Sequence, residues 1–420
     1  MAQIPFDPSD PKAALSQLPA RPGVFSLYGA EAHAEPYIGR TPNLRSRLER
    51  LLQPSPKHPR RLQLAGRVRR IQWKLTGSDF ESLLLQFDLL QNIYGPKALE
   101  RMHLGSPYFV RFLGGNPYPR LTVTNRPSQR EAAWAYGPFA SRAAAERFSD
   151  EALKLFLLRR CTDDLNPDPS HPGCVYSEMK MCLAPCYKGC TDKRYGEEAT
   201  AVERFLATRG ESRLVTLRTQ RDEASANLEF ESAAALHAQV QKAEAVRALA
   251  PELVRPMSQL QAVILQASAN PEEVAMFLFE GGRMRGPAVF STLGMRIQNE
   301  QSGSSSLFAQ PMSIEAVPEE LKDQGTEIRD QTAADRKLAR TMLEARMDGS
   351  LAELVAQADP PSATVRQGHL ALLKRWYYRP EAKRPGEIFF LAPEGQWPVK
   401  AILRGVGRIA ARSLTASPAA

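Results

Sequence analysis

Five cysteines stand at positions 161, 174, 182, 186 and 190, and no other residue of the 420 is cysteine. A cluster this tight defines either a ligand set or a redox site, which limits what the surrounding stretch can fold into. Compartment decides between disulfides and ligands. The opening residues, Met1-Ala2-Gln3-Ile4-Pro5-Phe6-Asp7-Pro8, lack the basic stretch and apolar core of a signal peptide. No window reaches ~18 uninterrupted apolar residues. A cytoplasmic protein that does not enter a membrane is expected, and in that reduced setting clustered thiols bind metal or do redox chemistry. The segment around them is poor in apolar residues, so a bound metal is expected to organise it.

At 420 residues the chain exceeds one ordinary domain, and two to four are expected, on the order of 100–200 residues each. Its formal charge of +9 is unevenly spread. From Arg40 to Lys74 there are eleven Lys or Arg against one acid, Glu49. A dense positive stretch is the electrostatic footprint of a phosphate-rich partner. Arg45, Arg50, Arg60, Arg61, Arg67, Arg69 and Arg70 are its candidate nucleic-acid contacts. A solvated basic face is the plainer alternative, and charge alone does not separate DNA from RNA.

Local patterns divide the first hundred residues. Residues 1–20 are Pro-rich and expected to be a flexible arm. Gly23–Tyr28 and Pro36–Arg40 are β-type runs joined by a small-polar loop. Asn43 caps a helix over Leu44–Leu52, basic on one side and leucine-lined on the other. Arg70–Thr76 alternates as a third strand, and Ser78-Asp79-Phe80-Glu81 is a capping box that opens a further helix. The expectation is a three-stranded antiparallel sheet with helices packed on it.

Pro22-Gly23-Val24-Phe25, Tyr37-Ile38-Gly39-Arg40 and Asn43-Leu44-Arg45-Ser46-Arg47 resemble the signature of the GIY-YIG nucleases as the UvrC family carries it. The resemblance implies a metal-dependent endonuclease of nucleotide excision repair and the SOS response. Tyr37 matches the second tyrosine, which helps take a proton from the attacking water. Arg40 matches the basic residue after the second glycine. Arg47 matches the arginine that stabilises charge at phosphorus. A carboxylate on the later helix holds one Mg²⁺ or Mn²⁺.

Several positions depart from that pattern. Phe25 replaces the first tyrosine and lacks its hydroxyl, and Gln86 aligns with the metal-binding glutamate but offers only a neutral amide oxygen. Asp88 lies roughly 200° and Glu81 roughly 140° around the helix from Gln86, so neither is an obvious substitute. Ala98 and Leu99 stand where an asparagine follows Pro-Lys-Tyr, and Leu51 where a later tyrosine stands. Two functions therefore remain open: a nuclease making one incision near damage, or a catalytically inactive adaptor that grips DNA and a repair partner.

The resemblance continues downstream. Residues 105–160 are similar to the UvrC connector, with a strand over Pro119–Thr124, a turn at Tyr136-Gly137-Pro138-Phe139 and a helix from Ser141 to about Leu158. In residues 161–200 the family's four cysteines match Cys161, Cys174, Cys182 and Cys186, which implies a [4Fe–4S] cluster, with zinc as the alternative. Cys190 is either a spare thiol or a competitor of Cys186. Over 201–250, Asn227-Leu228-Glu229-Phe230-Glu231-Ser232-Ala233-Ala234 resembles the UVR motif, a helical hairpin that docks onto UvrB. Leu228, Phe230, Glu231 and Ala234 are its candidate contacts, and Leu217, Ala224, Leu228, Phe230, Ala234 and Leu236 its expected packing. Residues 251–415 are expected to form an α/β region, with a meander over Leu260–Gln266, Val274–Glu280 and Met284–Ser291, a Ser-rich linker at 301–306 and helices over 327–378. No Asp follows Asp359 and no His follows His369, so the RNase H-like catalytic set of a dual-incision UvrC is not expected. A shortened, Cho-type chain is the nearer resemblance. The fold class is accordingly α+β multidomain: a GIY-YIG domain, a cysteine-rich metal segment, a UVR hairpin and a C-terminal α/β region.

Overall fold

In a computed structural model of the protein, residues 1–31, 34–53, 64–162, 165–292, 295–298, 313–316, 333–356 and 360–416 are described. In chain order the strands and helices are β1 (Ala2–Pro5), α1 (Pro11–Leu15), β2 (Gly23–Tyr28), β3 (Tyr37–Thr41), α2 (Leu44–Leu52), β4 (Arg70–Leu75), α3 (Asp79–Tyr94) and α4 (Ala98–Arg101). Next come β5 (Tyr108–Phe112), β6 (Leu121–Thr124), β7 (Ala135–Phe139), α5 (Arg142–Leu153), α6 (Val175–Glu178), α7 (Asp192–Ala207), α8 (Glu211–Ala226), α9 (Phe230–Ala248) and β8 (Arg255–Pro256). The remainder are β9 (Ala262–Ala267), β10 (Glu273–Glu280), β11 (Arg283–Ser291), β12 (Met295–Gln298), β13 (Ser313–Ala316), α10 (Ala333–Ala356), α11 (Ala363–Tyr377), β14 (Glu387–Phe390) and α12 (Val399–Ala416).

Two compact units result, and they cut across the expected boundaries. One is residues 1–104 with 261–372 and 379–420; the other is 105–260 with 373–378. The region after 260 is thus not a separate body but part of the unit that holds the first hundred residues.

In the first unit the N-terminal sheet is four-stranded, order β1-β4-β2-β3, and antiparallel throughout. This corrects both the three-stranded expectation and the flexible arm at 1–20. Ile4 pairs with Ile71 across β1 and β4. Phe6, Ala14, Leu15 and Leu18 are buried with Leu44, Leu48, Leu51 and Leu52 of α2. Each buried leucine-sized side chain contributes roughly 1.5–3 kcal/mol, enough to hold a Pro-rich segment in place. Asn43 caps α2 through its side-chain oxygen, which accepts from the Ser46 N–H at 3.0 Å. Strand alternation sends Phe25, Leu27, Tyr37 and Gly39 to the α2 face of the sheet and Val24, Ile38 and Arg40 to the other.

The C-terminal part of this unit is a second antiparallel sheet, order β11-β10-β9-β14. The meander expected over 260–291 is therefore present. Val263, Leu265, Met276 and Leu278 pack with Met347 and Leu351 of α10 and with Ile402 and Val406 of α12. This part also seats α3. The Phe80 and Phe277 rings meet edge-on at 5.4 Å, and Phe87 meets His369 at the same centroid distance. Gly368 lies so close to Phe87 that a Cβ there would come within 2.0 Å of the ring. The Ser-rich linker at 301–306 falls outside the described residues.

The second unit carries a sheet in the order β6-β5-β7-β8. Tyr136, Phe139 and Phe148 form an aromatic centre beneath it. The stretch Tyr136–Phe139, expected as a turn, lies inside β7. Its Gly137–Pro138 peptide bond is cis, and a Cβ on Gly137 would meet Phe109 at 2.5 Å. The helix expected from Ser141 to about Leu158 ends at Leu153.

Helices α8 and α9 form an antiparallel hairpin. Its rungs are Arg247 Nη1 to Glu211 Oε2 at 2.6 Å and Arg218 Nη2 to Glu244 Oε1 at 2.7 Å. Leu214, Leu217, Val240 and Ala243 are its buried core. The turn ends α8 with the Glu229 N–H bonded to the Ala224 carbonyl at 2.9 Å and with Leu228 in the left-handed region, φ +61°. That conformation normally falls to glycine, because a side chain there costs roughly 1–2 kcal/mol.

Candidate functional site

The expected catalytic residues do not come together as one set. Phe25 and Tyr37 share the α2 face of the first sheet, ring centroids 6.1 Å apart. Phe25 is fully buried, and its ring lies against Gly39, where a Cβ would approach Cζ to 2.7 Å. The para position that bears the hydroxyl in a tyrosine is thus already in contact. Arg47 belongs to the helix on that same face, half-buried and without an ion-pair partner among the described residues. Arg40 is on the other face and forms a salt bridge with Asp79, the first residue of α3. Gln86, half-buried, sits one residue before the buried Phe87.

Each acid on α3 already has a partner. Asp79 receives Arg40 on Oδ1 and Arg379 on Oδ2, the latter at 2.9 Å. Glu81 is buried and accepts the Gly77 N–H at 2.8 Å, while Ser78 Oγ accepts the Glu81 N–H at 3.1 Å. This is the expected capping box displaced by one residue at its acidic end. Burial pushes the Glu81 carboxyl above the usual range, against the opposing pull of the Gly77 N–H and Lys74. Asp88 Oδ1 lies 3.3 Å from Nε2 of the buried His369, whose Nδ1 accepts the Met284 N–H at 2.9 Å. Because Nδ1 accepts, the proton of the neutral ring sits on Nε2 and points at Asp88.

The basic stretch divides into arginines with structural work and arginines without it. Arg45 donates to the Leu18 and Ser16 carbonyls at 2.8 and 3.3 Å and so ties α2 to the segment after α1. Arg50 donates to the Ser46 carbonyl, and Arg69 to those of Gly66 and Val68. Arg70 lies 4.4 Å over the Tyr28 ring. Arg67 is exposed and its side chain makes no hydrogen bond or ion pair among the described residues. Arg60 and Arg61 lie outside the described residues.

Cys161, Cys174, Cys182 and Cys186 line one small cavity with Arg159, Arg160, Leu165, Tyr176, Ala184 and Pro185. Cys190 is not in its lining and instead packs, half-buried, against the aromatic core of its unit. Among the described residues no three His, Cys, Asp or Glu are drawn tightly enough to clasp a metal ion; the thiols surround a space. Arg159 anchors the wall. It is buried, with Nη1 3.4 Å from Cys161 Sγ and Nε donating to the Tyr118 carbonyl at 3.0 Å. Its own N–H donates to Tyr195 Oη at 3.1 Å, and that hydroxyl donates to the Pro119 carbonyl. The Ala184 N–H donates to Cys182 Sγ at 3.3 Å. Burial, and after it the neighbouring thiols of Cys161, Cys174 and Cys186, push the Cys182 thiol up to about 11. Lys180, Ala184 and Lys188 all have left-handed backbones, φ +52°, +56° and +57°. Such strain is retained where something beyond local propensity fixes the chain.

On the hairpin, Leu228 and Phe230 are 71% and 66% exposed, and Glu231 and Ala234 are exposed beside them. This corrects the expected packing. Leu217 and Ala224 are buried, whereas Leu228, Phe230 and Ala234 are not, because the turn throws them outward. The expected span 201–250 also narrows, since 201–207 belongs to α7.

Sequence reasoning missed Asp79 and Arg379. The capping box had placed Asp79 at the helix start, but its partners lie 39 and 300 residues away.

Among known families, the UvrC-like GIY-YIG domain matches residues 21–97, and the UvrC/Cho excinuclease middle domain matches residues 108–205. The chain is 31% identical over 239 residues to the UvrABC system protein C of Alcanivorax borkumensis, covering 57% of this chain and 39% of that one. It is 29% identical over 235 residues to the Pseudomonas protegens protein of the same name, covering 56% and 38%. With the Aliivibrio fischeri protein it shares 29% over 233 residues, covering 55% and 38%. The matches span under two fifths of the length of these curated relatives. No solved structure matches the chain significantly. No helix among the described residues is long and apolar enough to cross a membrane.

Proposed function

With a UvrC-like N-terminal half as the premise, we propose that this chain is a non-cleaving adaptor of nucleotide excision repair in the cytoplasm. It holds DNA on the first unit and a UvrB-like helicase at the tip of the α8–α9 hairpin. The observation that carries this reading is the commitment of every acid on α3: Asp79 to two arginines, Glu81 to the Gly77 N–H, and Asp88 to His369. A hard divalent cation needs a carboxylate that is free to bind it. Neither Gln86 nor the fully buried Phe25 supplies the charge or hydroxyl of a nuclease. Tyr37, Arg40 and Arg47 keep the capacity to grip a phosphate backbone.

Four cysteines lining one small cavity support a bound metal group, a [4Fe–4S] cluster with zinc as the alternative. Cys161, Cys174, Cys182 and Cys186 would hold it, and the group would fix the strained 180–188 loop. The N–H donors of Arg159 and Ala184 would offset thiolate charge. The exposed Leu228 and Phe230, rimmed by Glu231, support the partner surface; a small hairpin buries such residues by docking.

The test is strand incision of a lesion-bearing duplex by the purified protein with damage-loading partners and Mg²⁺ or Mn²⁺, beside Arg47→Ala. The expected result is no incision by either, with DNA and partner binding intact and the same partners active with a competent nuclease. Incision that Arg47→Ala abolishes would establish the alternative, a working nuclease that keeps Arg47 in its site.

A further inference from the structure

We infer that Arg40 and Arg379, joined through Asp79, form a nucleic-acid phosphate site to which the C-terminal region contributes one of the two guanidinium groups. The inference deepens the DNA-binding reading and rests on it. Asp79 takes Arg40 on one carboxylate oxygen and Arg379 on the other, so the three groups carry a net charge of +1. All three are about one third exposed on their side chains: 34% for Arg40, 36% for Asp79 and 28% for Arg379. Each guanidinium has five N–H donors and spends one on Asp79. The others stay within reach of an incoming oxyanion.

The sheet extends the site. Arg40 pairs in register with Val24, and Val24 with Lys74. Arg40 and Lys74 therefore lie on one row and one face, two strand spacings or roughly 10 Å apart. Lys74 is exposed and has no salt bridge among the described residues. A row of Lys74, Arg40 and Arg379 is a cationic track along the α3 side of the sheet. It is distinct from the α2 side, where Tyr37 and Arg47 lie.

Asp79 holds the two arginines in one place, and this separates the site from simple charge. In a template, removing the carboxylate scatters the guanidinium groups. In a mere charge balance, removing it strengthens an anion site.

The experiment is duplex binding by the full chain across a salt series, with thermal melting of each variant. Wild type is expected to bind with a steep salt dependence. Arg379→Gln is expected to weaken binding about three- to tenfold and to lower the salt slope by about 0.9, the loss of one phosphate contact. Arg379→Lys keeps the slope and loses part of the affinity. Asp79→Asn weakens binding although it adds a net positive charge. No duplex binding by wild type would overturn both this inference and the adaptor reading. Binding by wild type with an unchanged slope in Arg379→Gln, or tighter binding by Asp79→Asn, would overturn this inference alone and leave the triad a structural brace. If Arg379→Gln fails to fold, the direction of the Asp79→Asn effect decides.

Discussion

In the cysteine cavity, four thiols from one short stretch face a common space, and their hydrogen-bond partners are donors, Arg159 and the Ala184 N–H. On α3, three acids stand on one helix, Glu81 buried and Asp79 and Asp88 nearer the surface, and each has been drawn into holding the unit together. The first arrangement leaves the sulfur lone pairs supported and available. The second turns carboxylates that sit near a nuclease-like sheet into clasps and a cap. On the proposed reading, ligating chemistry survives in one unit and has been converted to structure in the other, within one chain.

The comparison breaks most visibly at Cys182. Cys182→Ala is expected to abolish metal content, read by iron and zinc analysis, and to cost at least about 3 kcal/mol in urea unfolding of the second unit. Cys190→Ala, outside the cavity, is expected to cost less than about 1 kcal/mol and to keep the metal. Equal losses in the two variants would erase the distinction between four ligands and a fifth thiol.

A smaller effect is expected on the other side of the comparison. Phe25→Tyr forces a hydroxyl into a fully buried place against Gly39. It should lower stability by about 1–3 kcal/mol in thermal denaturation. A neutral substitution would mean that the cleft still has room for the missing hydroxyl.

The smallest effect concerns Glu81. Its folded carboxyl is raised by burial, so its contribution is fully present below the ordinary value of 4.5 and is lost as pH rises through the folded value. Near neutral pH the ionised group is therefore a burden on the fold. Glu81→Gln keeps an oxygen for the Gly77 N–H and should stabilise by less than about 1 kcal/mol at pH ~7, with no gain at pH ~4. A stability curve unchanged in shape would show that the carboxyl is better solvated than its surroundings imply.

What could be read from the residues followed the range over which each pattern is decided. The Asn43 cap, the leucine face of α2, the Arg70–Leu75 strand and the 262–291 meander are settled within a few residues, and they stand as expected. The cysteine cavity belongs to the same class, since spacing within one stretch already limits who can meet. The edge strand Ala2–Pro5 was not legible: four residues with a proline carry no periodicity, and its partner, β4, is some seventy residues on. The clasp on α3 was hidden for a like reason. Nothing local to Asp79, Asp88 or Phe80 announces Arg379, His369 or Phe277, and no repeating pattern spans such distances. The outward turn of Leu228 and Phe230 was missed because an amphipathic reading assigns every apolar residue of a hairpin to its seam.

The division of the chain has a consequence for how it is made. The first unit is closed by segments on both sides of residues 105–260. A ribosome adding roughly 5–20 residues per second must deliver the whole of that insert before β9 emerges, a delay on the order of ten seconds. Through that interval Phe80 and Phe87 of α3 lack Phe277 and His369, and an apolar helix face waits in water for its cover. A nascent chain stalled within the insert should therefore be a client for chaperones that bind exposed aromatic surface. Release from them should come only when the 262–291 meander has been synthesised.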